Sequence, residues 1–356
     1  MRNRNFYLDI HILQTVPPSC INRDDTGSPK TAIYGGVTRA RVSSQAWKRA
    51  MRLMFASLLA PDQIGQRTKY IVNKVAEKIE EIDPSVDSEA SAIDALTKAG
   101  LTIKSTKKGT DALFFISEAQ ATALAKLITS QESDTAAYKT ALKDNPSVDM
   151  CLFGRMVASD PSLNYDACAQ IAHSISTHAV NTEFDYFTAV DDCAPNDSLG
   201  AGHLGTVEFN SSTLYRYATL NIAELTKHLG TTSVSAVRAF IEAFVCSMPT
   251  GRQNPFAHRT LPDIVYITIR KDQPVNLVGA FERPVLADHA GYVASSAASL
   301  YQYADKIYKT YNCPPFKSFI SSVVDNNHAI VDSMPFNNVL DEVGNAIADF
   351  IDCGVK

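Results

Sequence analysis

The chain has 356 residues, of which 45% are hydrophobic and 20% charged, a composition that excludes a disordered chain and is typical of a globular protein. Its net charge of −5 is unevenly distributed, because residues 1–52 carry +6 and the rest of the chain carries −11. A basic segment on an acidic chain favours a polyanionic partner, either a nucleic acid or a phosphorylated small molecule.

The cysteines and the N-terminus indicate the cellular compartment. The seven cysteines include no C-x-x-C pair, which argues against a zinc ribbon or a disulfide framework and favours reduced thiols. Residues 1–6 are followed by no long apolar segment, and we find no run long enough to span a membrane. We therefore expect a cytoplasmic protein without a signal peptide.

The first half of the chain is predicted to hold one strand, one basic helix and a helical insertion. Residues 6–16 alternate loosely and predict a strand with one strongly apolar face, followed by a Pro-, Gly- and Asn-rich loop over 17–36. A helix is predicted over about 43–59. Segments near 63–82 and 117–144 are rich in Ala, Lys, Glu and Leu and predict helices within an insertion at 61–150.

The second half is predicted to mix strands and helices around a projecting arm. Residues 161–180 are predicted to be helical. Two β-favouring flanks around a Pro-, Asn- and Gly-rich tip predict a hairpin at 186–212. Strands are predicted at 213–222 and 263–270, and helices at 234–248, 285–311 and 336–352. This order of elements predicts an α+β protein with a ferredoxin-like or RNA-recognition-type sheet.

The basic helix is amphipathic in an unusual way. At about 100° per residue, Lys48, Arg49 and Arg52 fall within about 60° of Gln45. The opposite face is apolar and comprises Trp47, Ala50, Met51, Met54 and Leu58. One interpretation is an ordinary solvated face, because Lys and Arg are normally exposed. The other is a stripe that contacts the phosphates of a nucleic acid.

Three features favour the phosphate-binding interpretation of this stripe. No acidic residue lies within the helix, so no internal ion pair explains its cations. Arg39 and Arg41 lead into the helix from an alternating run that places both on one side. Ser43 and Gln45 add neutral donors that suit phosphate and sugar oxygens, and Ser43 can also cap the helix.

Two other groups of residues allow more than one interpretation. Asp24 and Asp25 could hold Mg²⁺ for phosphodiester cleavage, but Asp-rich loops more often form Asx turns. Tyr186 and Phe187 could stack on bases or fill the core of a strand. The sequence contains no Walker loop, no G-x-S-x-G motif and no dinucleotide-binding glycine run, and we expect no metal and no cofactor.

Several motifs resemble, in the same order, those of a known family. They include PSCINRDD at 18–25, AIYGG at 32–36 and RVSSQAWKRAMR at 41–52, and further matches lie at 152–156, 171–178, 185–192, 203–209 and 215–218. Together they resemble the crRNA-binding backbone subunit of type I-E CRISPR Cascade, the CasC family. The motifs span most of the chain.

This resemblance implies a right-hand-like subunit. Its palm would be a modified RNA-recognition fold made of residues 1–60, 151–185 and 213–356, the last part including the C-terminal helices. The helical fingers would be residues 61–150 and the hairpin thumb residues 186–212. Copies would polymerise along the crRNA, which pairs with target DNA, and other Cascade subunits would lie at the filament ends and along its inner face. The subunit would not be an enzyme.

The resemblance also assigns residues. The basic stripe and the resemblance together predict guide-RNA contacts at Arg23, Lys30, Arg39, Arg41, Ser43, Gln45, Lys48, Arg49, Arg52 and Met156, and at the thumb residues Tyr186, Phe187, Thr188, His203 and Leu204. Candidate DNA-binding lysines are Lys104, Lys107, Lys108, Lys139 and Lys143. At 37–38 this chain has Val-Thr where a relative has basic residues. The alternative is a metal-dependent ribonuclease of the type III kind that uses Asp24 or Asp25.

Overall fold

The structure, a computed structural model, describes residues 5–105, 109–110, 112–189, 203–289, 291–325 and 329–354. Its contacts divide the chain into two compact units. The first unit comprises Met1–Met51, Ile171–Thr219 and Phe240–Val343, and the second comprises Arg52–Gln170, Leu220–Ala239 and Gly344–Lys356.

Strands and helices are numbered separately in chain order. The strands are β1 (Tyr7–Ser19), β2 (Thr31–Tyr34), β3 (Val37–Val42), β4 (Gln66–Thr68), β5 (Ile103–Ser105), β6 (Gly109–Thr110), β7 (Phe114–Ile116), β8 (Ala169–Ile171), β9 (Ser174–Ser176), β10 (Glu183–Ala189), β11 (His203–Asn221), β12 (Ile264–Arg270) and β13 (Lys317–Ser322). The helices are α1 (Ser44–Leu58), α2 (Ile71–Ile82), α3 (Ser88–Lys98), α4 (Glu118–Thr129), α5 (Thr135–Lys143), α6 (Val148–Phe153), α7 (Ile222–Leu229), α8 (Ser233–Cys246), α9 (Gln253–Phe256), α10 (Val293–Thr310) and α11 (Phe336–Gly354).

The first unit is built on a sheet with the strand order β13-β12-β1-β11-β9-β3-β2. The β1–β12 pair is antiparallel and runs from Tyr7 opposite Arg270 to Leu13 opposite Ile264. The pairs β12–β13, β9–β11, β3–β9 and β2–β3 are antiparallel as well. Helix α10 packs Leu300 and Tyr301 against this sheet. The class is therefore a mixture of helices with an antiparallel sheet.

Strand β1 differs from the prediction of a single apolar face. All seven residues from Leu8 to Gln14 are buried, and even Asp9 and His11 have no exposed surface. A central strand covered on both sides buries both sets of alternating side chains, whatever their polarity. The polar members of the alternating pattern are therefore core residues and not solvent-facing ones.

The second unit has its own core, formed by α2, α3, α4 and α5. Val75, Ile79, Leu96 and Leu124 are fully buried there. Asp87 caps α3 by accepting a hydrogen bond from Ala90 N. The predicted insertion, 61–150, lies within this unit, and α3 falls between the two segments that were predicted to be helical. The predicted segment 117–144 is two helices, α4 and α5.

The prediction of a helix over 161–180 is wrong. The segment contains a 3-10 turn at Pro161–Leu163 and the strands β8 and β9. Ser174, Ile175 and Ser176 are all buried, because β9 lies between β3 and β11 in the sheet. The Ser-Ile-Ser alternation covers only three residues, which is too short to indicate a strand from the sequence. The predicted helix 285–311 begins only at Val293.

One segment differs from the expectation that no run could span a membrane. Among the described residues, Ile222–Cys246 is long and apolar enough by length and composition to do so. The segment is divided into α7, a 3-10 turn at Gly230–Thr232 and α8. Half of its most apolar stretch is buried inside the protein. Buried core helices have the same composition, so this match is weak evidence for a membrane span.

Candidate nucleic-acid interface

Several of the predicted contact residues lie in the first unit, around the N-terminus of α1. Asn22 joins them, because its carbonyl accepts a hydrogen bond from Lys30 N at 2.9 Å and its side-chain Oδ1 accepts one from Ser43 N at 2.9 Å. Lys30 O in turn accepts a hydrogen bond from Arg41 N at 2.9 Å. We call the group at this location the basic track, comprising Arg23, Lys30, Arg41, Gln45, Lys48 and Arg49.

Helix α1 presents part of the basic track on a rigid base. Trp47 and Met51 are fully buried, and the Trp47 indole donates a hydrogen bond to Ser174 Oγ at 2.9 Å. Gln45 and Arg49 are exposed on the other face and Lys48 is half-buried. Because residues three and four apart share a helix face, these polar side chains project together. The predicted amphipathic arrangement is confirmed for this part of the helix.

Ser43 has a structural role at the start of this helix. Its side chain is buried, and its Oγ accepts a hydrogen bond from Ala46 N at 3.3 Å. A serine at this position satisfies one of the free N–H groups of the first turn. Ser43 is therefore an N-cap, and its predicted contact with RNA conflicts with its burial.

Arg41 has a neighbour that the sequence analysis did not assign to the interface. Its Nε donates to Thr31 O at 2.9 Å, and its Nη1 lies 3.2 Å from Nδ1 of His173. An arginine has no acceptor, so His173 must accept at Nδ1 and carry its proton on Nε2. Burial, Arg41 and Lys30 together lower the pKa of His173. Exposed His173 thus offers a neutral N–H donor beside two cations.

Arg39 is a correction to the predicted interface. Its side chain has no exposed surface, and its guanidinium donates to four carbonyl oxygens, those of Tyr34, Ser176, Phe281 and Glu282, at 2.8–3.3 Å. Burial lowers its pKa. All of these partners lie in the first unit. Arg39 therefore holds the β2–β3 hairpin to its surroundings and cannot reach a phosphate.

Arg52 is a second correction, because a carboxylate does pair with it. Arg52 Nε lies 3.0 Å from Oδ2 of Asp149, a fully buried residue of the second unit, and Arg52 Nη2 donates to Gly65 O at 3.2 Å. Only 23% of the Arg52 side chain is exposed. The ion-pair partner comes from α6 and not from the helix itself, which is why inspection of the helix alone missed it.

Met156 and the hairpin residues lie in different units. Met156 belongs to the second unit and is 83% exposed. In the first unit, β10 and β11 pair antiparallel, with Tyr186 opposite Thr206, Thr188 opposite Leu204 and Ala189 opposite His203. The antiparallel pairing of the two flanks is confirmed. The tip, residues 190–202, lies outside the described residues.

The two faces of this hairpin differ. The side chains of Phe184, Tyr186 and Leu204 lie on one face of the hairpin. Their exposed fractions are 66%, 64% and 56%. On the other face Phe187 lies against Gly205, where a Cβ atom would overlap its ring. Exposed aromatic side chains favour the stacking interpretation for Tyr186 over the strand-core one. Phe184 has the same exposure and was not assigned from the sequence.

Asp24 has the geometry of a turn residue. Its Oδ1 accepts hydrogen bonds from Thr26 N, Thr26 Oγ1 and Ser28 N at 2.7–3.0 Å, which is an Asx turn. The Thr26 hydroxyl and these backbone N–H groups lower the pKa of Asp24. Asp25 is exposed beside it. Among the described residues no three His, Cys, Asp or Glu side chains are placed to hold a metal ion.

The candidate DNA-binding lysines do not form one helix face. Lys104 lies on β5, whereas Lys139 and Lys143 lie four residues apart on α5. Lys139 Nζ pairs with Asp160 at 2.6 Å, and this lysine, together with the hydroxyl and N–H of Ser162, lowers the pKa of Asp160 to about 2. Lys107 and Lys108 lie outside the described residues.

Comparison with known proteins agrees with this fold and with the motifs. A chain titled "CRISPR RNA-guided surveillance complex, pre-nicking" is 30% identical, with coverage of 96% of this chain and 100% of that one and a TM-score of 0.77. A chain of a "CRISPR RNA-guided surveillance complex" is 29% identical, with coverage of 96% and 99% and a TM-score of 0.65. No curated protein matched. A family model described as CT1975-like protein matches residues 8–346. The resemblance to a crRNA-binding backbone subunit of CRISPR complexes is confirmed, and the chain belongs to the CT1975-like protein family.

Proposed function

We propose that this protein is a non-catalytic, crRNA-binding filament subunit of a type I-E CRISPR surveillance complex in the cytoplasm. The observation that carries the proposal is the basic track. Among the described residues, Arg23, Lys30, Arg41 and Arg49 form no ion pair with a carboxylate, in contrast to Arg52. Cations held on a loop, a strand and a helix without acidic partners favour an anionic ligand.

The basic track would hold the guide by its backbone. Guanidinium and ammonium groups neutralise phosphates, and each neutralised phosphate releases condensed counterions. Phosphate contacts fix the position of a strand but read no base. A subunit of this kind accepts guides of any sequence, and sequence specificity comes from pairing between the guide and target DNA.

The remaining parts would serve the same assembly. In this proposal the sheet of the first unit is the modified RNA-recognition palm, the helices of 61–150 are the fingers, and the β10–β11 hairpin is the thumb. Exposed Tyr186 would stack on a base at the thumb, a contact worth roughly 1–3 kcal/mol. Further copies of the chain would continue the track along one guide, with other Cascade subunits at the ends of the filament and along its inner face.

The first test changes two cations of α1. We expect Lys48→Ala with Arg49→Ala to weaken binding of single-stranded RNA at least tenfold, because two phosphate contacts are lost. The loss should be equal for RNAs of different sequence. The slope of log affinity against log salt should fall by about 1.4, since each lost contact on a single strand contributes about 0.7. Fluorescence anisotropy at several salt concentrations measures both quantities.

The matched control carries the same charge change on another helix of the first unit. Lys306 and Lys309 are exposed on α10, three residues apart, and Lys306→Ala with Lys309→Ala should bind RNA nearly as the wild type does. An equal loss of RNA affinity in both double variants would show that the effect comes from the change in net charge and not from contacts at α1. A loss confined to some RNA sequences would contradict backbone binding.

The second test concerns the ribonuclease alternative, which the Asx turn of Asp24 does not favour. We expect neither the wild type nor Asp24→Ala to cleave labelled RNA during incubation with Mg²⁺, because Asp24 already serves as a turn acceptor. Denaturing gel electrophoresis measures the cleavage. If the wild type cleaves RNA in the presence of Mg²⁺ and Asp24→Ala does not, the proposal of a non-catalytic subunit is contradicted.

A further inference from the structure

The second unit contains an arginine pair that no part of the proposed function uses. Arg67 on β4 lies directly opposite Phe115 on β7, and its guanidinium carbon is 4.7 Å from the centroid of the Phe115 ring. The guanidinium carbon of Arg52 is 4.9 Å from the same centroid. Phe115 itself is only 4% exposed, so it fixes both arginines on a rigid support.

Among the described residues, Asp149 is the carboxylate whose charge acts on this arginine pair, and its oxygens already have partners. Asp149 is fully buried, and its Oδ1 accepts hydrogen bonds from Gly65 N and Ser147 Oγ, each at 2.8 Å. Its Oδ2 accepts the one from Arg52 Nε at 3.0 Å. Asp149 thus compensates Arg52 and leaves one positive charge uncompensated.

That uncompensated charge belongs to Arg67. Its side chain is exposed, and its guanidinium forms no hydrogen bond or ion pair with a described residue. Loss of part of its hydration at the ring lowers the pKa of Arg67, and the repulsion from Arg52 lowers it more than the attraction of Asp149 raises it. A second arginine held beside a first, without a carboxylate of its own, is the arrangement that an anion stabilises.

We propose that Arg67 binds a phosphate of a nucleic-acid backbone, with Arg52 as the positioning residue that adds positive charge at the same aromatic ring. The planar guanidinium, stacked on Phe115, presents its remaining N–H donors in the fork that suits two phosphate oxygens. This inference rests on the proposed function and adds to it a contact residue in the second unit. The phosphate belongs either to the guide RNA or to the DNA, because both backbones have the same chemistry.

The test compares Arg67→Gln with a charge-matched control, Lys126→Gln. Lys126 is exposed on α4 of the same unit and away from Phe115 in the sequence. We expect Arg67→Gln to weaken binding roughly ten- to hundredfold, the loss typical of one charge-assisted hydrogen bond, and to lower the salt slope by about 0.7 on RNA. Thermal unfolding should match the wild type, since Arg67 is exposed.

Two ligands distinguish the source of the phosphate. Single-stranded RNA and a DNA duplex are titrated separately into wild type, Arg67→Gln and Lys126→Gln. A selective loss for either ligand supports the site and assigns it to guide or target. Losses equal to those of Lys126→Gln for both ligands would overturn the inference. If the wild type binds neither ligand, the proposed function itself fails, and this outcome is separate from failure of Arg67 alone.

Discussion

Arg39→Ala is expected to lower the free energy of unfolding by about 3–5 kcal/mol. The substitution removes the shared donor of four carbonyl oxygens, those of Tyr34, Ser176, Phe281 and Glu282. The carbonyl of Phe281 and its neighbours would then face a cavity instead of a guanidinium. Lysine cannot replace it, because an ammonium lacks the planar fork that reaches all four oxygens.

Thermal and urea unfolding measure this effect, with Arg49→Ala as the control. Arg49 is exposed on α1, so its removal should change stability by less than about 0.5 kcal/mol while it weakens RNA binding. Arg39→Ala should show the reverse pattern, with the transition about 10 °C lower and near-normal RNA affinity at low temperature. A stable Arg39→Ala protein that no longer binds RNA would restore Arg39 to the interface.

Arg39 and Arg41 show which part of the interface the sequence could predict. Their spacing places both on one side of β3, and this much follows from the strand period of two. The difference between them comes from distant segments. The carbonyls that bury Arg39 include those of Phe281 and Glu282, more than 240 residues away. No local pattern contains that information, whereas the helix period of α1 contains nearly everything needed to place Lys48 and Arg49.

Arg52 shows, within one helix, the same limit on what local periodicity can predict. The helical period correctly groups it with Lys48 and Arg49, but its partner Asp149 comes from α6. The absence of acids within the helix does not exclude this pair, because the acid lies almost one hundred residues further along the chain. Strand β9 was missed for a related reason, because its buried Ser174 is satisfied by a partner distant in the sequence, the Trp47 indole of α1. Local periodicity cannot show which polar residues are buried with partners.

The sheet of the first unit also holds two buried titratable residues on β1 with opposite shifts. Asp9 Oδ1 accepts a hydrogen bond from the Tyr217 hydroxyl and Oδ2 accepts one from Val275 N, both at 2.9 Å, yet burial raises the pKa of Asp9 to about 6. The His11 ring packs against Tyr217 and Tyr266, and burial, followed by the charge of Arg270, lowers its pKa to about 3.

These two shifts act in opposite directions on stability. Below pH 6.5 the unfolded chain protonates His11 and the folded protein does not, so His11 makes stability fall as the pH falls towards 3. Between pH 6 and about 3.8 the folded protein holds a proton on Asp9 that the unfolded chain has released, so Asp9 makes stability rise as the pH falls. Across that window the two contributions nearly cancel.

Asp9→Asn should reveal the contribution of His11. The amide resembles the protonated acid and keeps partners for Tyr217 and Val275, but it binds no proton. Relative to the wild type, we expect the free energy of unfolding of the variant to decrease by about 1.4 kcal/mol for each unit that the pH falls. From pH 6 to pH 4 this amounts to roughly 3 kcal/mol. His11→Phe, which keeps an aromatic ring against Tyr217 and Tyr266, should shift the profile the opposite way. Urea unfolding at half-unit pH steps measures the three profiles. Because every other titrating group is common to all three proteins, parallel profiles would show that burial of Asp9 and His11 does not shift their proton affinities.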